Sequence, residues 1–213
     1  MTAAGRTTPP TARRADVRSR LRSTGPVVIR PADGDDLEGV VAVGRAAWRE
    51  THATLYSPEL IELFLDKWWT AGANAPAIRS GRTIVADRDG EIVGMASYGV
   101  TDGRFVVWKV YVHPDAQCSG IGGRLLEAVE ERAAGHDAVY LTFTDGNTRA
   151  ESFARTRGFV HDGREQQNGL PDVLWMRRGL GEATTDVSAT DISATEVSAT
   201  DVPSATEDGD DRP

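Results

Sequence analysis

The chain has 213 residues, 39% of them hydrophobic and 26% charged, with a formal net charge of −8 and one cysteine. That length suits one domain with a sizeable core plus tails. No apolar run approaches the roughly 20 residues of a membrane span, no apolar signal region follows the N-terminal arginines, and a lone Cys118 excludes an internal disulfide, so a cytoplasmic protein with no membrane partner is expected.

Residues 1–25 hold six Arg and one Asp among Thr, Ala and Pro, and are expected to be a disordered basic segment. Val27–Arg30 reads as a first strand, stopped by Pro31. Asp33, Asp35 and Asp36 offer N-cap chemistry for a helix to about Glu50, whose Leu37, Val40, Val41, Ala47 and Trp48 follow helical spacing. Ser57 and Pro58 open a second helix carrying Leu60, Ile61, Phe64, Leu65 and Trp68. Adjacent Trp68 and Trp69 cannot face one way, so one is expected inside and the other at a cleft or interface. No element is predicted between Trp69 and Thr83. Thr83–Ala86 and Ile92–Val100 flank Asp87-Arg88-Asp89-Gly90, a hairpin signal. Phe105–Val112 follows. Its alternation puts Trp108, Val110 and Val112 on one face, expected as core, and Lys109 and Tyr111 on the other, toward solvent or a site. A helix to about Ala134, a strand at Ala138–Phe143, a helix at Asn147–Thr156 ended by Gly158, and strands at Phe159–His161 and Val173–Arg177 complete a body spanning 26–180. This order is α+β, one sheet with helices against it. The tail, 181–213, repeats Thr-Asp-Val-Ser-Ala with period five and is expected to be disordered and acidic. Between these tails the body is mildly acidic, which favours cationic or neutral acceptors and argues against a nucleic-acid partner.

The most informative stretch is Val112-His113-Pro114-Asp115-Ala116-Gln117-Cys118-Ser119-Gly120-Ile121-Gly122-Gly123. It runs from a strand through a glycine-rich loop into an amphipathic helix. Unpaired N–H groups and partial positive charge at a helix N-terminus suit a pyrophosphate. Glycines without Cβ let an anion approach the main chain. No Lys follows the glycines, so this is not a nucleotide-hydrolysing loop, and the spacing is not that of a dinucleotide fold.

Gln117-Cys118-Ser119-Gly120-Ile121-Gly122 resembles the Q/R-x-x-G-x-G/A acetyl-CoA signature of the GNAT superfamily of N-acetyltransferases. Val110-Tyr111-Val112-His113-Pro114 resembles the end of that family's fourth strand, and Asn147-x-x-Ala150-x-x-Phe153-Ala154-x-x-x-Gly158-Phe159 resembles its second signature. The resemblance covers about 27–179 and neither tail. It implies the acyl-CoA N-acyltransferase fold. That is a three-layer arrangement with a single mixed, mostly antiparallel sheet, splayed at the cofactor site, with helices on both faces. It implies acetyl-CoA as donor, with no metal, and transfer to a primary amine in a ternary complex. The implied cofactor residues are Val110, Tyr111 and Val112 as a free strand edge, Gln117, Cys118, Ser119, Gly120, Ile121, Gly122 and Gly123 as the phosphate loop, and Asn147 with Phe153. Arg124, one residue past the loop, is a further candidate for a phosphate.

The chain departs from the family where catalysis is usually placed. Ala154 stands where a Tyr often protonates the leaving thiolate, and the slot for a general-base Glu, near Val106, is apolar. Substitutes on the acceptor side are His52, Glu50 and Asp102, with His52 favoured because its reference pKa is nearest neutral. Tyr111 and Tyr140 are candidate proton donors. A catalytically weak acetyl-CoA sensor module is the alternative. The amine acceptor is unnamed by sequence, and both monomer and homodimer stay open.

Overall fold

The computed structural model describes residues 25–180. The expected basic head, Gly25 apart, and the expected acidic tail lie outside these residues. Seven strands form one sheet in the order β1-β2-β3-β4-β5-β7-β6. They are β1 Val27–Pro31, β2 Thr83–Arg88, β3 Glu91–Thr101, β4 Arg104–Val112, β5 Ala138–Thr144, β6 Val160–Glu165 and β7 Val173–Gly179. Neighbours are antiparallel except β4 and β5, which run parallel, so the sheet is mixed and mostly antiparallel.

Helices cover both faces. On one, α1 Leu37–His52, α2 Pro58–Trp68 and α3 Ala71–Arg79 close a core of Val40, Val43, Phe64, Leu65 and Trp69 against Val85 and Met95. On the other, α4 Ile121–Glu130 and α5 Thr148–Arg155 pack Leu125, Leu126, Val129 and Ala154 against Val93, Phe105, Val107 and Met176. Trp69 is only 1% exposed and lies so close to α1 that a Cβ on Gly44 would sit 1.8 Å from its ring. Trp68 is the partly buried partner, stacked on Phe64 at 4.4 Å.

Local signals read from the sequence act with small differences. Asp33 caps a 3-10 turn, Gly34–Asp36, rather than α1 itself, so α1 begins at Leu37 and runs on to His52. Ser57 accepts from the Leu60 N–H and Pro58 opens α2 as expected. Gly158, at φ +79°, ends the chain's turn out of α5. The unexpected element is α3. Thr70 caps it through the Ala73 N–H, but Pro76 lies inside it and its buried residues are only Asn74 and Ile78, so it has no apolar stripe to read. Helix α4 stops at Glu130, short of the expected Ala134.

Two irregularities of β4 create the site. Ser97 pairs with Lys109 but Tyr98 pairs with Val107, which leaves Trp108 as an extra residue in a bulge. The bulge shifts the alternation by one. Phe105 and Val107 therefore share a face with Val110 and Val112, while Tyr111 joins the opposite core. Trp108 is not core, as alternation alone suggests, but 42% exposed, with its ring edge-on to Trp175 at 6.3 Å. The second irregularity is the splay. β4 pairs with β5 only from Phe105 to Val107, against Val139 to Leu141. Beyond that the strands part, and the β4 edge from Trp108 to Val112 is left without a strand on that side.

Candidate active site

The parted strands open a cavity of about 360 Å³. One wall is β4 from Val107 to Val112, the other is β5 at Leu141 to Phe143 with Asn147, Arg149, Ala150 and Phe153 of the α5 region. Cys118 to Gly123 form one end, and Ala47 and Thr51 of α1 lie at the acceptor side. Every cofactor residue expected from the sequence therefore lines one cleft.

The loop is held by its own side chains. Gln117 donates from Nε2 to the Val112 carbonyl at 3.1 Å, tying the loop to the end of β4. Ser119 donates from Oγ to the Ala116 carbonyl at 2.6 Å. Cys118 at φ +60° and Gly120 at φ +77° turn the chain into α4. Among the described residues, no protein acceptor meets the N–H groups of Cys118 to Gly123. These N–H groups converge at a helix start, which is the chemistry a pyrophosphate needs. Side chains crowd two of the loop's glycines. A Cβ on Gly122 would lie 3.3 Å from the Phe153 ring, and one on Gly123 would fall 2.4 Å from the Arg157 guanidinium. Asn147 both caps α5, through the Ala150 N–H at 3.0 Å, and lines the cleft. These features fit acetyl-CoA: N–H groups for phosphates, and a free strand edge for the amides of its arm.

Arg124 is a correction. Its guanidinium donates to the Val27 carbonyl at 2.9 Å, away from the cleft, and it lines no part of it. The cation that does flank the loop is Arg157, stacked over Phe153 at 3.9 Å. It follows Phe153 by one helical turn, a spacing that was available in the sequence.

Val106 and Ala154, the two apolar slots, are fully buried. His52 is 4% exposed and is not among the residues that line the cleft. Its Nδ1 is 2.9 Å from the Trp48 carbonyl, which can only accept, so the ring proton sits on Nδ1. Nε2 is then the free lone pair, 3.4 Å from the Thr144 hydroxyl, which in turn is 3.4 Å from the Tyr56 hydroxyl. The ring stacks on Trp48 at 4.0 Å. Burial pushes its pKa below the ordinary 6.5, against the raising effect of the Trp48 carbonyl, so it is neutral at pH 7. Glu50 is exposed and stands 4.0 Å from Arg149 at the cleft rim. Tyr111 lines the cleft edge-on to Trp69 at 5.3 Å, and burial, with Tyr56 nearby, raises its pKa beyond the usual phenol range. Asp102 lies in the β3–β4 turn, at the end of β4 remote from the loop, and Tyr140 packs with Trp175 and Arg104, outside the cleft. Lys109, which the sequence left between solvent and site, lines the cleft; its Nζ donates to Asn74 Oδ1 at 2.9 Å and lies 4.3 Å from the centre of the Trp69 ring.

The Acetyltransferase (GNAT) family model matches residues 42–159. The L-methionine sulfoximine/L-methionine sulfone acetyltransferase of Pseudomonas paraeruginosa is 31% identical, over 70% of this chain and 88% of the relative. Among solved structures, an N-acetyltransferase of Thermoplasma acidophilum in complex with coenzyme A superposes with a TM-score of 0.63 at 22% identity, over 70% of this chain and 98% of that one. A GCN5-related N-acetyltransferase of Rhodopseudomonas palustris does so with a TM-score of 0.61 at 26% identity, over 74% of this chain and 97% of that one. The chain thus belongs to the GNAT acetyltransferase family and is an acetyl-CoA-dependent N-acetyltransferase.

Proposed function

We propose that the acceptor is the primary amine of a small molecule, which attacks the donor directly inside the cleft. The observation that carries this reading is the size of the cavity. About 360 Å³ must hold both the arm of the donor and the acceptor, and Ala47 and Thr51 wall the acceptor side. The named activity of the Pseudomonas relative, on a methionine derivative, supports a small acceptor. Acetyl-CoA supplies an acetyl thioester, whose thiolate is a tolerable leaving group even without a strong acid.

This chain's residues would then divide the work. Val110 to Val112 and the Gln117–Gly123 loop bind and orient the donor, with Asn147 and Phe153 opposite. Holding two reactants in one cleft removes most of the entropy barrier to their meeting. His52, neutral and with Nε2 free toward the Thr144 hydroxyl next to the cleft-lining Phe143, is the candidate base for the acceptor's proton. Tyr111 is the candidate proton donor on the cleft wall, although burial weakens it as an acid. Glu50 positions Arg149 at the rim. Among the described residues no helix is long and apolar enough to cross a membrane, and we place the enzyme in the cytoplasm, where its donor is made.

Thiol release from acetyl-CoA, measured against matched panels of small amines and amine-bearing peptides, tests this reading. Release driven by small amines and at least tenfold weaker with peptides is expected. Equal rates with peptides, or tight donor binding with no release from any amine, would contradict it.

A further inference from the structure

The charge inside the cleft opposes that of the chain. The protein carries −8 overall, yet among the described residues no Asp or Glu lines the cavity, while Lys109, Arg149 and Arg157 do. Two of these cations are accounted for. Arg157 stands against Gly123 and Phe153 at the phosphate loop, and Arg149 has Glu50. Lys109 has neither a phosphate loop nor a carboxylate.

Its position separates it from the donor's anionic end. β4 runs from Lys109 through Val112 to the loop, and at about 3.3 Å per residue Lys109 lies about 10 Å short of Val112 along the strand. The proposed donor arrangement puts the phosphates beyond Val112 and a neutral arm along Val110 to Val112. Lys109 therefore sits at the reacting end, where the donor brings no negative charge.

The surroundings of Lys109 are built rather than incidental. Asn74 is 4% exposed and its amide is locked, because Nδ2 donates to the Trp68 carbonyl at 3.0 Å and to the Thr70 carbonyl at 2.9 Å. That leaves Oδ1 to accept from Nζ at 2.9 Å. The Trp69 ring lies against the ammonium at 4.3 Å, a cation–π contact. Both partners are neutral. Among the described residues no carboxylate forms an ion pair with Lys109. An ammonium has three N–H donors, and Asn74 takes one.

We infer that Lys109, held by Asn74 and Trp69, is the binding site for a carboxylate on the acceptor, so that the acceptor is an amino acid or another small amine with its carboxylate beside the amine. A charge-assisted hydrogen bond from Nζ to that carboxylate fixes one end of the acceptor and leaves the neighbouring amine at the reacting end. Burial, which brings the Lys109 pKa down to about 8, keeps it charged in the main at pH 7 and makes an anionic partner the natural relief of its desolvation. The inference rests on the small-amine reading above and narrows it.

The test uses the full chain with L-methionine, L-phenylalanine and L-glutamate, each beside its α-carboxamide and its decarboxylated amine. Thiol release gives kcat and KM, and calorimetry of each compound titrated into the CoA complex gives binding independent of turnover. The acids are expected to bind and react with a KM at least tenfold below that of the amides and amines. Lys109→Met should erase that ratio, Lys109→Arg should restore part of it, and acetyl-CoA affinity should stay within twofold in both. Equal KM values for acid and amide in the wild type, an unchanged ratio in Lys109→Met, or loss of acetyl-CoA affinity in Lys109→Met with an unchanged melting temperature would overturn the assignment. Carboxylate-dependent binding without thiol release would keep the site and refute the small-amine acetylation reading. Thiol release without carboxylate preference would do the reverse, and absence of both would refute both.

Discussion

In the function proposed above, the two sides of the cleft recognise their ligands by different means. The donor side, β4, the loop, α4 and α5, would work through main chain: an unpaired strand edge, a row of N–H groups, and glycines at 122 and 123 whose Cβ would crowd Phe153 and Arg157. In that same reading the acceptor side, α1 to α3 with β4, would work through side chains from separate elements: His52 with Thr144, and Lys109 with Asn74 and Trp69. Main-chain recognition fixes one ligand for a whole family, whereas converging side chains can be exchanged singly. The second side is therefore where this enzyme's own specificity is expected to lie.

Substitutions on the acceptor side sharpen the contrast. Trp69→Ala should have the largest effect, since it removes a ring 1% exposed that fills the space between α1 and β4. A loss of about 3–5 kcal/mol is expected from the urea midpoint and slope, and a loss below about 1 kcal/mol would show that this ring does not hold the acceptor side together. Asn74→Ala should act more locally, raising KM for carboxylate acceptors about tenfold as Lys109 loses its fixed partner, with donor affinity unaltered. An equal rise for carboxamide acceptors would separate Asn74 from carboxylate binding. The smallest effect belongs to His52→Gln, and it depends on pH. Because the folded-state pKa lies below 6.5, the unfolded chain binds the proton more readily, and stability from keeping His52 neutral is full above pH 6.5 and is lost as pH falls toward the folded value. The stability difference between wild type and His52→Gln should therefore shrink from pH 7.5 to pH 5. A difference independent of pH would show that His52 is not held neutral.

The same contrast explains what was legible in the sequence. Gln117, Gly120 and Asn147 act within a few residues of where they stand, so loop, caps and strand order could be read directly. Trp108 misled because a bulge is one extra residue that leaves composition unchanged but breaks the alternation. Helix α3 went unread because it buries only Asn74 and Ile78 and so presents no apolar stripe. Lys109 and Asn74 meet across 35 positions of sequence, and nothing local to either residue announces the other. His52 was singled out by chemistry alone. Its burial follows from the stacking of Trp48 and Tyr56 on its ring.

The central claim is that the donor is gripped by main chain at the glycine cradle. Calorimetric titration of acetyl-CoA into wild type and Gly122→Glu tests it most directly. Wild type should bind one equivalent, and the variant, with a carboxylate driven against Phe153 and into the phosphate position, should lose at least a hundredfold in affinity while its melting temperature stays close to wild type. Equal affinity in the two proteins would contradict the claim and place the donor elsewhere.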